Sequence, residues 1–199
     1  MLDREKCIMC GKCVGVCPND AFEIFGKEIS ADEILEAVLK DKSFYEASGG
    51  GVTLSGGECL MQADFCGVLL KKLKENGINT AVDTCGFVHR NAIDKVMAYT
   101  DTFLYDLKAI DDEVHIKCTG RSNKIILDNL KYLDSCGKKI EIRIPCVPGH
   151  NDNQTEKIKE FCNKQKNIVR IRTLPYHNYA ASKYEALNMK NTLPKIFTK

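Results

Sequence analysis

Four cysteines, Cys7, Cys10, Cys13 and Cys17, fall within eleven residues in the stretch EKCIMCGKCVGVCP. Their spacing is C-x2-C-x2-C-x3-C-P. A 4Fe–4S cube needs thiolates converging from several directions, and two-residue gaps let successive cysteines wrap one corner of it. Gly11 permits the tight turns between them, and Pro18 bends the chain away after Cys17. Zinc is the alternative. Structural zinc is usually held by two C-x2-C pairs separated by a longer loop, so iron–sulfur fits this run better. In such runs the fourth cysteine serves a second cluster. No second run occurs in the 199 residues. Cys7, Cys10 and Cys13 therefore lack a fourth partner here, and Cys17 points to a cluster whose other ligands are missing.

A second group of reactive side chains recurs at one end of successive apolar segments. The segments GGVTLSGG, INTAVDT, DTFLYDLKAI, KIEIRIPCVPG and NIVRIRTLPYH read as strands. Between them QADFCGVLLKKLKENG, RNAIDKVMAY, SNKIILDNLKYLDSCG and NQTEKIKEFCNKQ read as helices. Five strands alternating with helices predict a parallel α/β sheet. Upstream, ISADEILEAVLK carries a helix start, with Ser30 as N-cap and Glu33 closing a capping box. Glu58 follows the first strand and Asp83 ends the second. Asp106 and Lys108 end the third, Glu141 and Arg143 lie in the fourth, and His177 follows the fifth. Side chains alternate faces along a strand. Asp106 and Lys108 thus share one face, as do Glu141 and Arg143, with Ile140, Ile142 and Ile144 opposite. Charges in a sheet sandwiched by helices are costly unless they line a cavity. The C-terminal rim of a β/α barrel is where active sites lie.

Composition narrows the class. Hydrophobic residues make up 44% of the chain and charged residues 28%, with a net charge of +2. That balance fits a globular α/β protein and gives no ground for nucleic-acid or membrane partners. No apolar run is long enough to span a bilayer, and MLDREKC has no secretory core. Seven further cysteines, Cys59, Cys66, Cys85, Cys118, Cys136, Cys146 and Cys162, show no disulfide-framework spacing. They read as ordinary thiols in a reducing, oxygen-poor cytoplasm. The one break in composition lies near residues 22–30. It separates residues 1–28, a partial ferredoxin-like segment, from residues 29–199.

The segments SGGGVTLSGGE, DTCGF, YDLKAIDDEVHIKCTGRSN, IRIPCVPGHND and LPYHNYAASKYEAL together resemble the glycyl-radical enzyme activating enzymes. These belong to the radical SAM superfamily and are related to pyruvate formate-lyase activase. The cysteine run resembles the subgroup with a two-cluster, ferredoxin-like insert. The resemblance implies a partial, TIM-like β/α barrel. It implies reductive cleavage of S-adenosylmethionine at a 4Fe–4S cluster, giving a 5′-deoxyadenosyl radical. That radical takes hydrogen from a glycine of a partner glycyl-radical enzyme, with flavodoxin or ferredoxin as electron donor.

Carried over by position, Gly56, Gly57 and Glu58 match the motif that holds the amino group of S-adenosylmethionine. Asp106 and Lys108 match the strand end on its ribose and carboxylate side. Arg143 matches a residue lining its pocket, and His177 a histidine near the adenosine. Asp83 and Thr84, with Asp106, match a monovalent-cation site. Cys59 stands where the family usually has Pro, and Cys85 where Asn or Ser is usual. The family's C-x3-C-x2-C cluster motif is not found among these residues. The single x3 gap joins Cys13 to Cys17, and three positions on stands Asp20. The expectation is a chain truncated at its N-terminus relative to the family, shortened in its C-terminal helices, and inactive alone. The alternative is an iron–sulfur electron-transfer module on an α/β scaffold.

Overall fold

The computed structural model describes residues 3, 5–24, 26–192 and 194. The remaining residues of the expected 1–28 and 29–199 units lie outside the described residues. Five strands form one sheet: β1 Gly51–Leu54, β2 Asn79–Thr84, β3 Thr102–Asp106, β4 Ile140–Cys146 and β5 Ile168–Pro175. Their spatial order is β1-β2-β3-β4-β5, and every neighbouring pair is parallel. Parallel neighbours need a crossover, usually a helix. Here α4 Ala63–Glu75 and α5 Arg90–Met97 make the first two. Helices α6 Asp112–Thr119 and α7 Lys124–Ser135 make the third, and α8 Thr155–Cys162 the fourth. Strands in sequential order with helical crossovers are the beginning of a β/α barrel.

Each strand has two unlike faces. On one, Val82, Phe103, Tyr105, Ile140, Ile142 and Ile144 are fully buried. They pack with Leu70, Ile93, Val96, Ile126, Leu130, Leu133 and Ile158 of the crossover helices. Each such side chain stabilises the fold by roughly 1.5–3 kcal/mol. On the other face Thr53, Ala81, Leu104, Glu141 and Arg172 line an open concavity of about 820 Å³. The partial β/α barrel expected from the sequence is thus what forms, with the charged face lining a cavity. The apolar core lies on one face, and the charges turn to the open one, where water solvates them.

Helix α2 Ala31–Leu39 begins where the capping box places it. The Glu33 amide donates to Ser30 Oγ at 3.2 Å, and the Ser30 amide donates to Glu33 Oε2 at 2.8 Å. Its Ala31 packs with Leu69, Leu73 and Ile78 in a smaller cluster outside α4. Helices α1 Lys12–Val16, α3 Lys42–Ser48 and α9 Ala181–Ala186 complete the described α-helices, and Cys59–Gln62 and Asp152–Gln154 are short 3-10 turns.

Candidate functional site

Because the strands are parallel, their C-terminal ends share one edge of the sheet, and most of the candidate residues stand there. The register sets Asp106 of β3 beside Arg143 of β4. Arg143 Nε donates to Asp106 Oδ1 at 3.0 Å, and Arg143 Nη2 donates to Asp83 Oδ1 at 2.5 Å. Ser55 Oγ donates to the other Asp83 oxygen at 2.9 Å, and Lys108 Nζ lies 3.7 Å from Asp106 Oδ2. The side chains of Asp83, Arg143 and Asp106 are only 16–23% exposed. Burial alone disfavours the charge on Arg143. The carboxylates of Asp106 and Asp83 outweigh it and hold the guanidinium proton more tightly than usual. Two carboxylates, a guanidinium and an ammonium thus form a nearly neutral group on the open face. Glu141 lies elsewhere on that face, paired with Arg172 at 2.7 Å.

Glu58 belongs to a different group. It caps the 3-10 turn Cys59–Gln62, accepting from the Leu60 amide at 3.2 Å. Thr84 Oγ1 lies 2.8 and 2.9 Å from its two oxygens. The Cys85 amide donates to Glu58 Oε2 at 3.0 Å, and the Cys85 thiol does so at 3.2 Å. Thr84 is 2% exposed, on the face opposite Asp83, so its hydroxyl serves Glu58 and not the Asp83–Asp106 pair. The Glu58 carboxylate is therefore an anchor that ties the loop after β1 to the end of β2. What that loop exposes is Gly56 and Gly57. Gly56 has φ +134°, and a methyl built on either glycine meets open space. A backbone so exposed admits a close ligand.

The two cysteine departures sit inside this network. The Cys59 thiol donates to the carbonyls of Leu54 and Asp83 at 3.5 and 3.4 Å, bridging β1 to β2. The neighbouring Cys66 thiol, which itself donates to the Cys59 carbonyl at 3.2 Å, and then burial push it above the ordinary thiol range. Burial, with the Glu58 contact, also raises the Cys85 thiol. Both are therefore protonated hydrogen-bond donors at neutral pH and poor nucleophiles.

Four buried amides behind this edge escaped the sequence reading. Asn129 Nδ2 donates to the carbonyls of Gly86 and Val88 at 2.9 and 2.8 Å. Asn123 Nδ2 donates to those of Ala109 and Ile110, and Gln154 Oε1 accepts the amides of Ile110 and Asp111. Asn151 Nδ2 donates to the carbonyls of Lys108 and Pro145, both at 2.7 Å. Each pins a loop at the C-terminal end of a strand. For Asn129 a signal existed, because it shares a buried helical stripe with Ile126, Leu130 and Leu133. A polar residue on an apolar stripe needs a partner.

His177 follows β5 at the same edge but stands exposed, its ring stacked on Tyr179 at 4.3 Å. Among the described residues no hydrogen bond or ion pair joins it to the other candidates. In the cysteine run, Cys7 and Cys17 accept backbone amides of Met9 and Ala21 at 3.4 and 3.3 Å, while Cys10 and Cys13 are exposed. Among the described residues no three His, Cys, Asp or Glu side chains are gathered for a metal ion.

Residues 5–162 match the radical SAM superfamily. The chain belongs to that superfamily. Its relatives place it among the activating enzymes of glycyl-radical enzymes. It is 44% identical to the trans-4-hydroxy-L-proline dehydratase activating enzyme of Clostridioides difficile, covering 96% of this chain and 74% of that protein. It is 40% identical to the choline trimethylamine-lyase activating enzyme of Oleidesulfovibrio alaskensis, covering 92% and 71%. The pyruvate formate-lyase 1-activating enzyme of Escherichia coli is 36% identical over 96% of this chain and 79% of its own length. Among solved structures, a domain of the pyruvate-formate lyase-activating enzyme of Bacteroides vulgatus superposes with a TM-score of 0.59 at 30% identity, covering 70% of this chain and 91% of that one. The radical SAM match begins at residue 5 and so takes in the cysteine run. Membership carries S-adenosylmethionine and a 4Fe–4S cluster as cofactors. The glycine loop and the charged group suit the first, since they offer open backbone beside both signs of charge.

Proposed function

We propose that this chain provides the S-adenosylmethionine-binding part of an enzyme that installs a radical on a glycine of a partner glycyl-radical enzyme. The observation that carries it is the open backbone at Gly56 and Gly57, on the same strand edge as Asp83, Asp106, Lys108 and Arg143. When bound, the cofactors supply a 5′-deoxyadenosyl radical, formed by one-electron reductive cleavage at the cluster, that takes the glycine hydrogen. The protein's own work is binding and orientation. Gly56 and Gly57 would present backbone to the amino group, with Glu58 fixing their loop. Lys108 and Arg143 would face the carboxylate side and Asp106 the ribose. His177 would close over the adenosine. A monovalent cation at Asp83 and Asp106 belongs to the same reading and would share the two carboxylates with Arg143, while the Thr84 hydroxyl expected with them stays on Glu58 across the sheet.

Residues 1–28 would form the iron–sulfur segment, through Cys7, Cys10, Cys13 and Cys17, and residues 29–199 the barrel part. Flavodoxin or ferredoxin would donate the electron, in the cytoplasm. These residues by themselves would bind S-adenosylmethionine without turning it over, because they contain no C-x3-C-x2-C motif. Equilibrium dialysis with labelled S-adenosylmethionine tests the site. Binding by the chain and its loss in Arg143→Met and Lys108→Met are expected; equal binding by those variants refutes it. Anaerobic reconstitution with iron and sulfide, followed by dithionite, tests the second point. Multiple turnovers to 5′-deoxyadenosine would overturn it.

A further inference from the structure

Glu58 is held by three groups from the end of β2, the Thr84 hydroxyl and the Cys85 amide and thiol. Those groups belong to a loop, residues 84–88, that is itself gripped from the helix layer. Asn129, 1% exposed in the middle of α7, donates both of its amide protons to that loop, at Gly86 O and Val88 O. The Gly86 amide donates to Thr84 Oγ1 at 2.9 Å, which orients the hydroxyl toward Glu58. One turn earlier on α7, the Ile126 carbonyl accepts Tyr105 Oη at 2.7 Å. Tyr105 fills the space under Gly86. Ile126 and Asn129 lie three apart and so on one helix face. Helix α7 thus holds the loop at two points, and the loop holds Glu58.

We propose that Asn129 is a positioning residue for the ligand site: its buried amide sets residues 84–88, which fix Glu58 and, through it, the exposed backbone of Gly56 and Gly57. This rests on the site assignment proposed above. The chemistry requires two donors at one point. Aspartate has the same shape and no amide protons; leucine has neither donor nor acceptor.

The test is a double-mutant cycle in the full chain, read as the dissociation constant for S-adenosylmethionine in equilibrium dialysis. Asn129→Leu alone is expected to weaken binding roughly tenfold, the upper end of what one neutral hydrogen bond contributes. Glu58→Gln alone is expected to weaken it at least as much. In the Glu58→Gln background, adding Asn129→Leu should change little, because the relay is already cut. Additive losses, or full-strength binding by Asn129→Leu, overturn the proposal. Loss of binding in no variant, Glu58→Gln included, overturns the site assignment instead, as does absence of binding by the parent chain.

Should Asn129→Leu not fold, Thr84→Val cuts the same relay without touching α7 and should give the same non-additivity with Glu58→Gln. Hydrogen exchange supplies a ligand-free readout. Asn129→Asp should speed exchange of the Cys85 and Gly86 amides while those of β3 and β4 keep their protection. A uniform rise across the sheet would mean general destabilisation and would refute a positioning role.

Discussion

Replacing Gly86 with alanine tests the packing under the site most severely. Gly86 has φ +71°, in the left-handed region, where a side chain costs about 1–2 kcal/mol. A methyl built there would lie 1.7 Å from Tyr105 Oη and 2.3 Å from its Cζ. Tyr105 cannot yield cheaply, since it is fully buried and its hydroxyl is bonded to Ile126 O. Forcing it aside adds an overpacking cost of about 1–3 kcal/mol, and orphaning the hydroxyl about 1–3 kcal/mol more. We expect a loss of about 3–8 kcal/mol in all, or roughly 6–32 °C in Tm for a domain of this size. The assay is urea and thermal unfolding followed by circular dichroism. Gly120→Ala is the control, because Gly120 has φ +75° but open space around its missing side chain. It should lose only the backbone part. Tyr105→Phe should fail to rescue Gly86→Ala, because the ring carbon still clashes. Equal losses at the two glycines would refute the argument, as would rescue by Phe.

Other perturbations follow from the same contacts. Arg143→Met leaves Asp83 and Asp106 without their shared cation, so Tm should fall in thermal melts at neutral pH. Ser30→Ala removes the cap of α2 and should cost about 1 kcal/mol, with exchange rising in that helix alone. Asp111 is held below the ordinary carboxylate range by Lys157 and then Gln154, and Asp112 by the Asn123 amide and then Ser122. Carboxylates depressed in the folded state contribute stability above the unfolded value near pH 4, which is lost as pH falls through the folded values. Melting curves in increasingly acid buffers should show that decline, and Asp112→Asn should flatten it.

Much of this was legible in the sequence. Alternation along each strand placed Asp106 and Lys108 together, and Arg143 opposite Ile142 and Ile144. The Ser30–Glu33 pair marked the start of α2. Five apolar segments separated by helical patterns predicted the five parallel strands. Elsewhere the same rule was not carried far enough. Asp83 and Thr84 matched as one pair, yet neighbours on a strand point to opposite faces. Asp83 turns to Arg143, and Thr84 turns to Glu58. The inward turn of Glu58 depends on a loop conformation that composition does not encode. Nothing periodic marks helix α6 in the sequence, because DEVHIKCT buries only His115 and shows no apolar stripe. Asn129 hid inside a stripe read for its hydrophobic members.

The site therefore has two sides divided by the plane of the sheet. On the open side, Arg143 and Lys108 face Asp83 and Asp106 with water at hand, and little of the core depends on them. On the helix side, Thr84 and Cys85 both hold Glu58, and Asn129 holds the Gly86 and Val88 carbonyls that follow them. The backbone of Asp83 joins the two, since its carbonyl accepts the Cys59 thiol while its carboxylate holds Arg143. Substitutions on the open side should change ligand affinity with modest effect on folding. Substitutions in the anchoring chain should change both, because they release a loop that the core also uses. The glycine loop gains its rigidity from that second side. An exposed glycine backbone is flexible by nature, and only a neighbour held from within the core can keep it in one conformation for a ligand.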